Sequence, residues 1–136
     1  MAEKEVKDID SLIDQGLNTE NSELDLREKE LDDEDLIKVL ESDKVKGVTA
    51  LFLEFNDIGD EGLKALVASD KMKFLTALNL FKNKVTDEGV KALAKAKTML
   101  NLSELILSDN EITHEGAKVV ATSNILGNLV SLWLGD

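Results

Sequence analysis

Cysteine is missing from this chain, and with it every disulfide and every thiolate nucleophile. Proline is missing too. There is one histidine, His114, and without cysteine beside it the usual zinc ligand sets cannot be assembled. Basic residues are scarce: 16 Lys and Arg stand against 28 Asp and Glu, a formal net charge of −12. Such a chain repels phosphate backbones and anionic lipid, which argues against nucleic acid and membrane surfaces as partners. No stretch has the length and apolarity of a transmembrane helix, and residues 1–20 are charged throughout, so no secretory signal is visible. These absences fit a cytoplasmic protein, or one exported without a cleaved N-terminal signal.

Enzyme motifs are missing as well. There is no "GxxxxGK" phosphate loop and no "GxSxG" nucleophile turn. The acidic run "LDDEDL" at 31–36 lacks the alternating ligands and central glycine of an EF-hand. A general base at His114 has little support. The residue stands at the start of a helix, where other copies of the same pattern carry Asp60 or Asp87. No cofactor, metal or catalytic residue is expected.

What is present is a repeat. Hydrophobic residues make up 43% of 136 residues, enough for one domain with a modest core. Leu24, Leu51, Leu78, Leu105 and Leu132 recur every 27 residues, and Leu26, Leu53, Leu80, Leu107 and Leu134 follow in step. Val48, Leu75, Leu102 and Leu129 precede them; Asn56, Asn83 and Asn110 follow, with Lys29 in the first copy. Leu31, Ile58, Val85 and Ile112 come next, then Gly62, Gly89 and Gly116. Acidity is uneven: residues 1–47 carry 7 basic and 16 acidic residues, a net of −9, and residues 48–136 carry 9 and 12, a net of −3.

Each copy reads as strand, turn, helix and return. Leu-x-Leu has period two, so both leucines face one side of a short strand. Asp32, Gly59, Thr86 and Thr113 are good N-cap residues, and acids in the following turn suit the positive end of the helix dipole. Leu63 with Leu66 and Val67, and Val90 with Leu93 and Ala94, give an apolar helix face; Lys64, Lys91 and Lys118 mark the wet one. One unit cannot bury its own face, but stacked units can. The asparagine amides at the corner are placed to satisfy backbone groups freed by the bend, as a ladder.

The pattern "LxxLxLxxNxIxxxG" over about residues 21–136 resembles leucine-rich repeats. The segments "VTALFLEFNDIGDEGLKAL", "LTALNLFKNKVTDEGVKAL" and "LSELILSDNEITHEGAKVV" resemble the ribonuclease-inhibitor-like subtype. The resemblance implies an α/β fold, a right-handed solenoid or horseshoe segment with parallel strands on the concave face and helices on the convex face. It also implies protein–protein recognition. Inhibition of a ribonuclease does not carry over, because that inhibitor is rich in cysteine and much longer. Resemblance further implies a bacterial effector acting on a host protein as one version, and a small-GTPase regulator as another.

The expected organisation is an N-terminal cap over residues 1–20, then four 27-residue repeats and a final strand over 21–136. Val6, Ile9, Leu12, Ile13 and Leu17 give the cap an amphipathic helix, read as residues 3–16. At the other end "LVSLWLGD" follows the fifth strand with no fifth helix. Either the strand is itself the cap, or another chain covers it, or the sequence is cut. A self-assembling or structural module using this edge is therefore an alternative function, although a monomer is favoured over a homodimer.

If the leucines point inward, the alternate residues face outward. Between the leucines the columns read Asp25, Phe52, Asn79, Ile106 and Trp133, then Arg27, Glu54, Phe81 and Ser108, then Glu28, Phe55, Lys82 and Asp109. Three of four phenylalanines and the only tryptophan fall there. With strands ~4.8 Å apart, Phe52 to Trp133 spans about 14 Å. The expected partner-binding residues are Phe52, Phe81, Ile106 and Trp133 as anchors, Phe55 as a weaker one at the strand edge, and Glu54, Asn79 and Lys82 around them. Aromatic anchors inside a polar rim are the usual anatomy of a protein interface.

Overall fold

The leucine pairs do what their spacing demands. In a computed structural model, described over residues 6–135, they form five short strands: β1 (Glu23–Asp25), β2 (Ala50–Phe52), β3 (Ala77–Asn79), β4 (Glu104–Ile106) and β5 (Ser131–Trp133). All neighbours are parallel, in the order β1-β2-β3-β4-β5. Leu24 pairs with Leu51, then Leu78, Leu105 and Leu132, so the 27-residue period is the sheet register itself. Between strands lie α2 (Asp33–Glu41), α3 (Asp60–Ala68), α4 (Asp87–Lys95) and α5 (His114–Ala121). The first three are followed by 3₁₀ turns at Asp43–Val45, Asp70–Met72 and Lys97–Met99. The result is an α/β solenoid.

The core is the seam between sheet and helices. Leu24, Leu26, Leu51, Leu53, Leu78, Leu80, Leu105 and Leu107 are buried, as are Leu36, Leu63, Val90 and Leu93 from the helices. Burying each such side chain is worth roughly 1.5–3 kcal/mol. The turn residues Val45, Met72 and Met99 close the return side of the seam.

Two hydrogen-bond ladders tie repeat to repeat. The asparagine ladder runs as expected: Asn83 Oδ1 accepts from the Ile58 amide at 2.9 Å, and Nδ2 donates to the Leu53 and Leu80 carbonyls at 2.9 and 3.2 Å. Asn56 and Asn110 make the corresponding bonds in their own repeats. The second ladder lies at the helix starts. Asp60 Oδ1 accepts from the Thr86 amide at 2.8 Å, and its other oxygen takes the Thr86 hydroxyl. Asp87 does the same to Thr113, and Asp33 accepts from the Gly59 amide at 2.7 Å. The helix-start acids therefore do more than answer a dipole. They also explain the glycine column. A Cβ on Gly89 would lie 2.4 Å from Asp60 Oδ1, and one on Gly116 would press on Asp87.

At the N-terminal end α1 covers the first repeat, but it is shorter than expected. It spans Ile9–Gly16, with Asp8 as its N-cap accepting from the Ser11 amide at 3.0 Å. Val6 lies before that cap and is 89% exposed, so it is not part of the apolar stripe. Residues 3–5 of the expected helix lie outside the described residues. The stripe itself is real: Ile13 is buried, with Ile9, Leu12 and Leu17 packed around it. At the other end β5 lies open, with Leu132 37% exposed where Leu24 is fully buried. No helix among the described residues is long and apolar enough to cross a membrane.

Candidate protein-binding surface

The strand register sets the outward columns. Asp25, Phe52, Asn79, Ile106 and Trp133 stand side by side across five strands. Phe52, Asn79 and Ile106 are half-buried and Trp133 is 61% exposed; none of these side chains belongs to the core. Asn79 Oδ1 accepts from the Phe81 amide at 3.0 Å, and Asp25 Oδ1 accepts from the Arg27 amide at 3.1 Å. In these two copies a polar residue of the column thus fixes the backbone where the strand starts to bend. Trp133 satisfies its indole N–H locally, on Ser131 Oγ at 3.0 Å.

Beyond the strand the chain turns through a left-handed residue in each copy. Glu28, Phe55, Lys82 and Asp109 have φ of 56°, 57°, 57° and 57°. Asp tolerates that region; a bulky ring does so only with strain. Phe55 nevertheless occupies it, 45% exposed. Its ring meets Phe81 edge to face, with centroids 5.4 Å apart and planes at 89°. Lys82 Nζ stands 5.7 Å from the Phe55 centroid. Phe55, expected as an anchor at the strand edge, thus touches residues of the next copy. It forms half of the one ring–ring contact among the described residues, whereas Trp133 stands apart from the other rings.

Glu54 departs further from expectation. Placed on paper in a charged rim, it is only 8% exposed. Oε1 has no hydrogen-bond partner, and Oε2 lies 3.8 Å from Arg27 Nε. Burial pushes its carboxyl above the ordinary glutamate value, against the pull of its own backbone amide and of Arg27; nearby Asp25 adds to the rise. Asp25 shifts the other way, because Arg27 donates to it twice, at 3.0 and 2.8 Å. A cleft of about 450 Å³ opens here between the end of α1 and the strand face, bordered by Asp25, Arg27, Glu54 and Phe55. A second hollow, about 520 Å³, continues along the sheet to Phe52 and Asn79.

The sequence contained a signal for the pairing of Phe55 with Phe81, since they lie in adjacent columns of adjacent copies. It held none for the burial of Glu54, whose column is outward-facing. His114 is the exposed first residue of α5, in the column of Asp33, Asp60 and Asp87. Among the described residues no group of His, Asp or Glu converges to hold a metal ion.

Comparison with known proteins bears on this arrangement. No curated protein matches the chain. Among solved structures, one titled "Leiomodin-1 Actin-Binding Site 2 (ABS2)" aligns with a TM-score of 0.64 and 20% identity. That alignment covers 96% of this chain and 80% of the other, a likeness of fold. The family described as Leucine Rich repeat matches residues 48–67, 71–94 and 98–121, half of the sequence. With that match, the register and the asparagine ladder in agreement, the chain belongs to the leucine-rich repeat family.

Proposed function

We propose that this protein is a non-enzymatic recognition module that binds a partner protein through its strand face. Phe55 and Phe81 form the centre, Phe52 and Ile106 extend it, and Trp133 is a separate outer contact. The observation that carries the reading is Phe55: an aromatic ring in left-handed backbone, 45% exposed and stacked edge-on to a second ring. A strained residue that leaves its ring in water is costly for folding alone, by about 1–3 kcal/mol for such backbone, and reads as a feature kept for contact. Glu54, Asn79 and Lys82 frame the rings. The ribonuclease-inhibitor-like subtype is supported by the full α-helix in each copy. The structural relative is by its title an actin-binding site, which supports protein recognition on this fold and makes actin the first partner to test.

The test is a paired capture experiment with purified actin and with cell lysate. One bait is the native chain; the other carries Phe55→Ser and Phe81→Ser and has an unchanged circular dichroism spectrum. A protein held by the first and lost by the second is the expected result. Equal capture by both baits would overturn the reading. The identity of the captured protein also tells a host-directed effector from a regulator of a small GTPase. A mass that rises with concentration would instead favour self-association at β5, where Leu132 and Trp133 are exposed.

A further inference from the structure

We propose that the cleft beside the end of α1 receives a basic side chain, lysine or arginine, from the partner protein, its cation held by Asp25 and Glu54 and its stem against Phe55. This rests on the strand-face reading above and gives the chemistry of one contact within it.

Glu54 is the primary observation. Its side chain is 11% exposed and lines the cleft, yet Oε1 has no hydrogen-bond partner and its nearest cation is a loose 3.8 Å away. Buried carboxylates are normally paired and fully hydrogen-bonded, so this one holds acceptor capacity in reserve. Arg27 does not use it up. Its guanidinium is committed to Asp25 through two bonds, and its side chain is more than half exposed.

Two further features favour a cation over an anion. Gln15 and Gly16, the last residues of α1, border the cleft, so the negative end of that helix faces it. The last turn of α1 carries no basic residue to neutralise it. Phe55 supplies an aromatic wall, and Lys82 already shows that its ring takes an ammonium at 5.7 Å. The side chains bordering the cleft are two basic, Arg27 and Lys29, and three acidic, Asp25, Glu28 and Glu54, and the helix end adds to the negative side.

The experiment is an amide-resolved NMR titration of the full chain with N-acetyl-arginine amide and N-acetyl-lysine amide, using N-acetyl-alanine amide as the neutral control. The basic compounds are expected to give saturable shifts at residues 25–29 and 54–55. Glu54→Gln, nearly isosteric and checked by an otherwise unchanged spectrum, should weaken binding about fivefold. Glu115→Gln, the same charge change on exposed α5, should leave it unchanged. Shifts spread evenly over the acidic helix starts, or equal affinity in Glu54→Gln, would overturn the proposal. Should Glu54→Gln also capture a partner as well as the native chain does, while Phe55→Ser/Phe81→Ser loses it, the cleft fails and the aromatic face stands. Saturable arginine binding without any aromatic-dependent capture leaves the cleft and removes the aromatic face.

Discussion

Leu24 and Leu132 hold the same place in the repeat, yet one is fully buried and the other 37% exposed. Both sit in three-residue strands, each paired with one neighbour inside the sheet. The difference is what lies on the far side. Beyond Leu24, α1 lays Ile13 and Leu17 against the first repeat, and Leu17 forms a bridge to Leu24 itself. Among the described residues nothing equivalent lies beyond Leu132. A leucine in this pattern is therefore not buried by its own unit. The units on both sides bury it, which is the nearest-neighbour logic of a solenoid.

The comparison can be broken most directly at the leucines. Leu78→Ala, in the middle strand, should lower unfolding free energy by about 3 kcal/mol, because it leaves a cavity walled by two neighbouring repeats. Leu132→Ala should cost less than about 1 kcal/mol, since much of that side chain already meets water. Urea titrations of both variants measure the gap; equal losses would refute the nearest-neighbour account. A smaller effect lies in the joints. Gly89→Ala should cost about 1–2 kcal/mol by pressing on the Asp60 carboxylate, despite the helix propensity gained. In an Asp60→Ala background the same change should become neutral or stabilising, a reversal that a double-mutant cycle reads directly.

The smallest effect belongs to the closed end itself. The Glu54 carboxyl is raised by burial, so its ionised form is disfavoured in the folded chain. Below the ordinary value of 4.5 it is neutral in both states and costs nothing; above its raised folded value the cost is fully present. Glu54→Gln should therefore raise Tm slightly at pH 7 and leave it unchanged near pH 3. The same rise at both values would mean that Glu54 is not held above its ordinary range.

Much of this was legible in the residues alone. The 27-residue step of paired leucines is enough to set five parallel strands in register, because a slip of one residue would turn every leucine to water. The asparagine corner and the N-caps at Asp32, Thr86 and Thr113 followed from residue type and place. What could not be read were contacts between columns. Asp60 and Thr86 are 26 residues apart and looked like independent helix-start residues until the fold set them together. The start of α1 was missed because Val6 fits the apolar stripe by spacing, while the Asp8 cap starts the helix after it. Glu54 looked like rim because its column is outward-facing, yet it is 8% exposed.

The joint from Asp60 to Thr86 and Gly89 recurs, atom for atom, from Asp87 to Thr113 and Gly116. A connection that repeats is an interchangeable part. A segment such as 60–86 carries one complete half of the joint at each end, so it can be duplicated in tandem without inventing a new contact. The first joint is plainer, because Gly59 offers only its amide to Asp33. The column then passes to His114, whose imidazole cannot accept from an amide and a hydroxyl at once as a carboxylate does. The units between are the ones free to multiply, and each copy would lengthen the strand face by one more row.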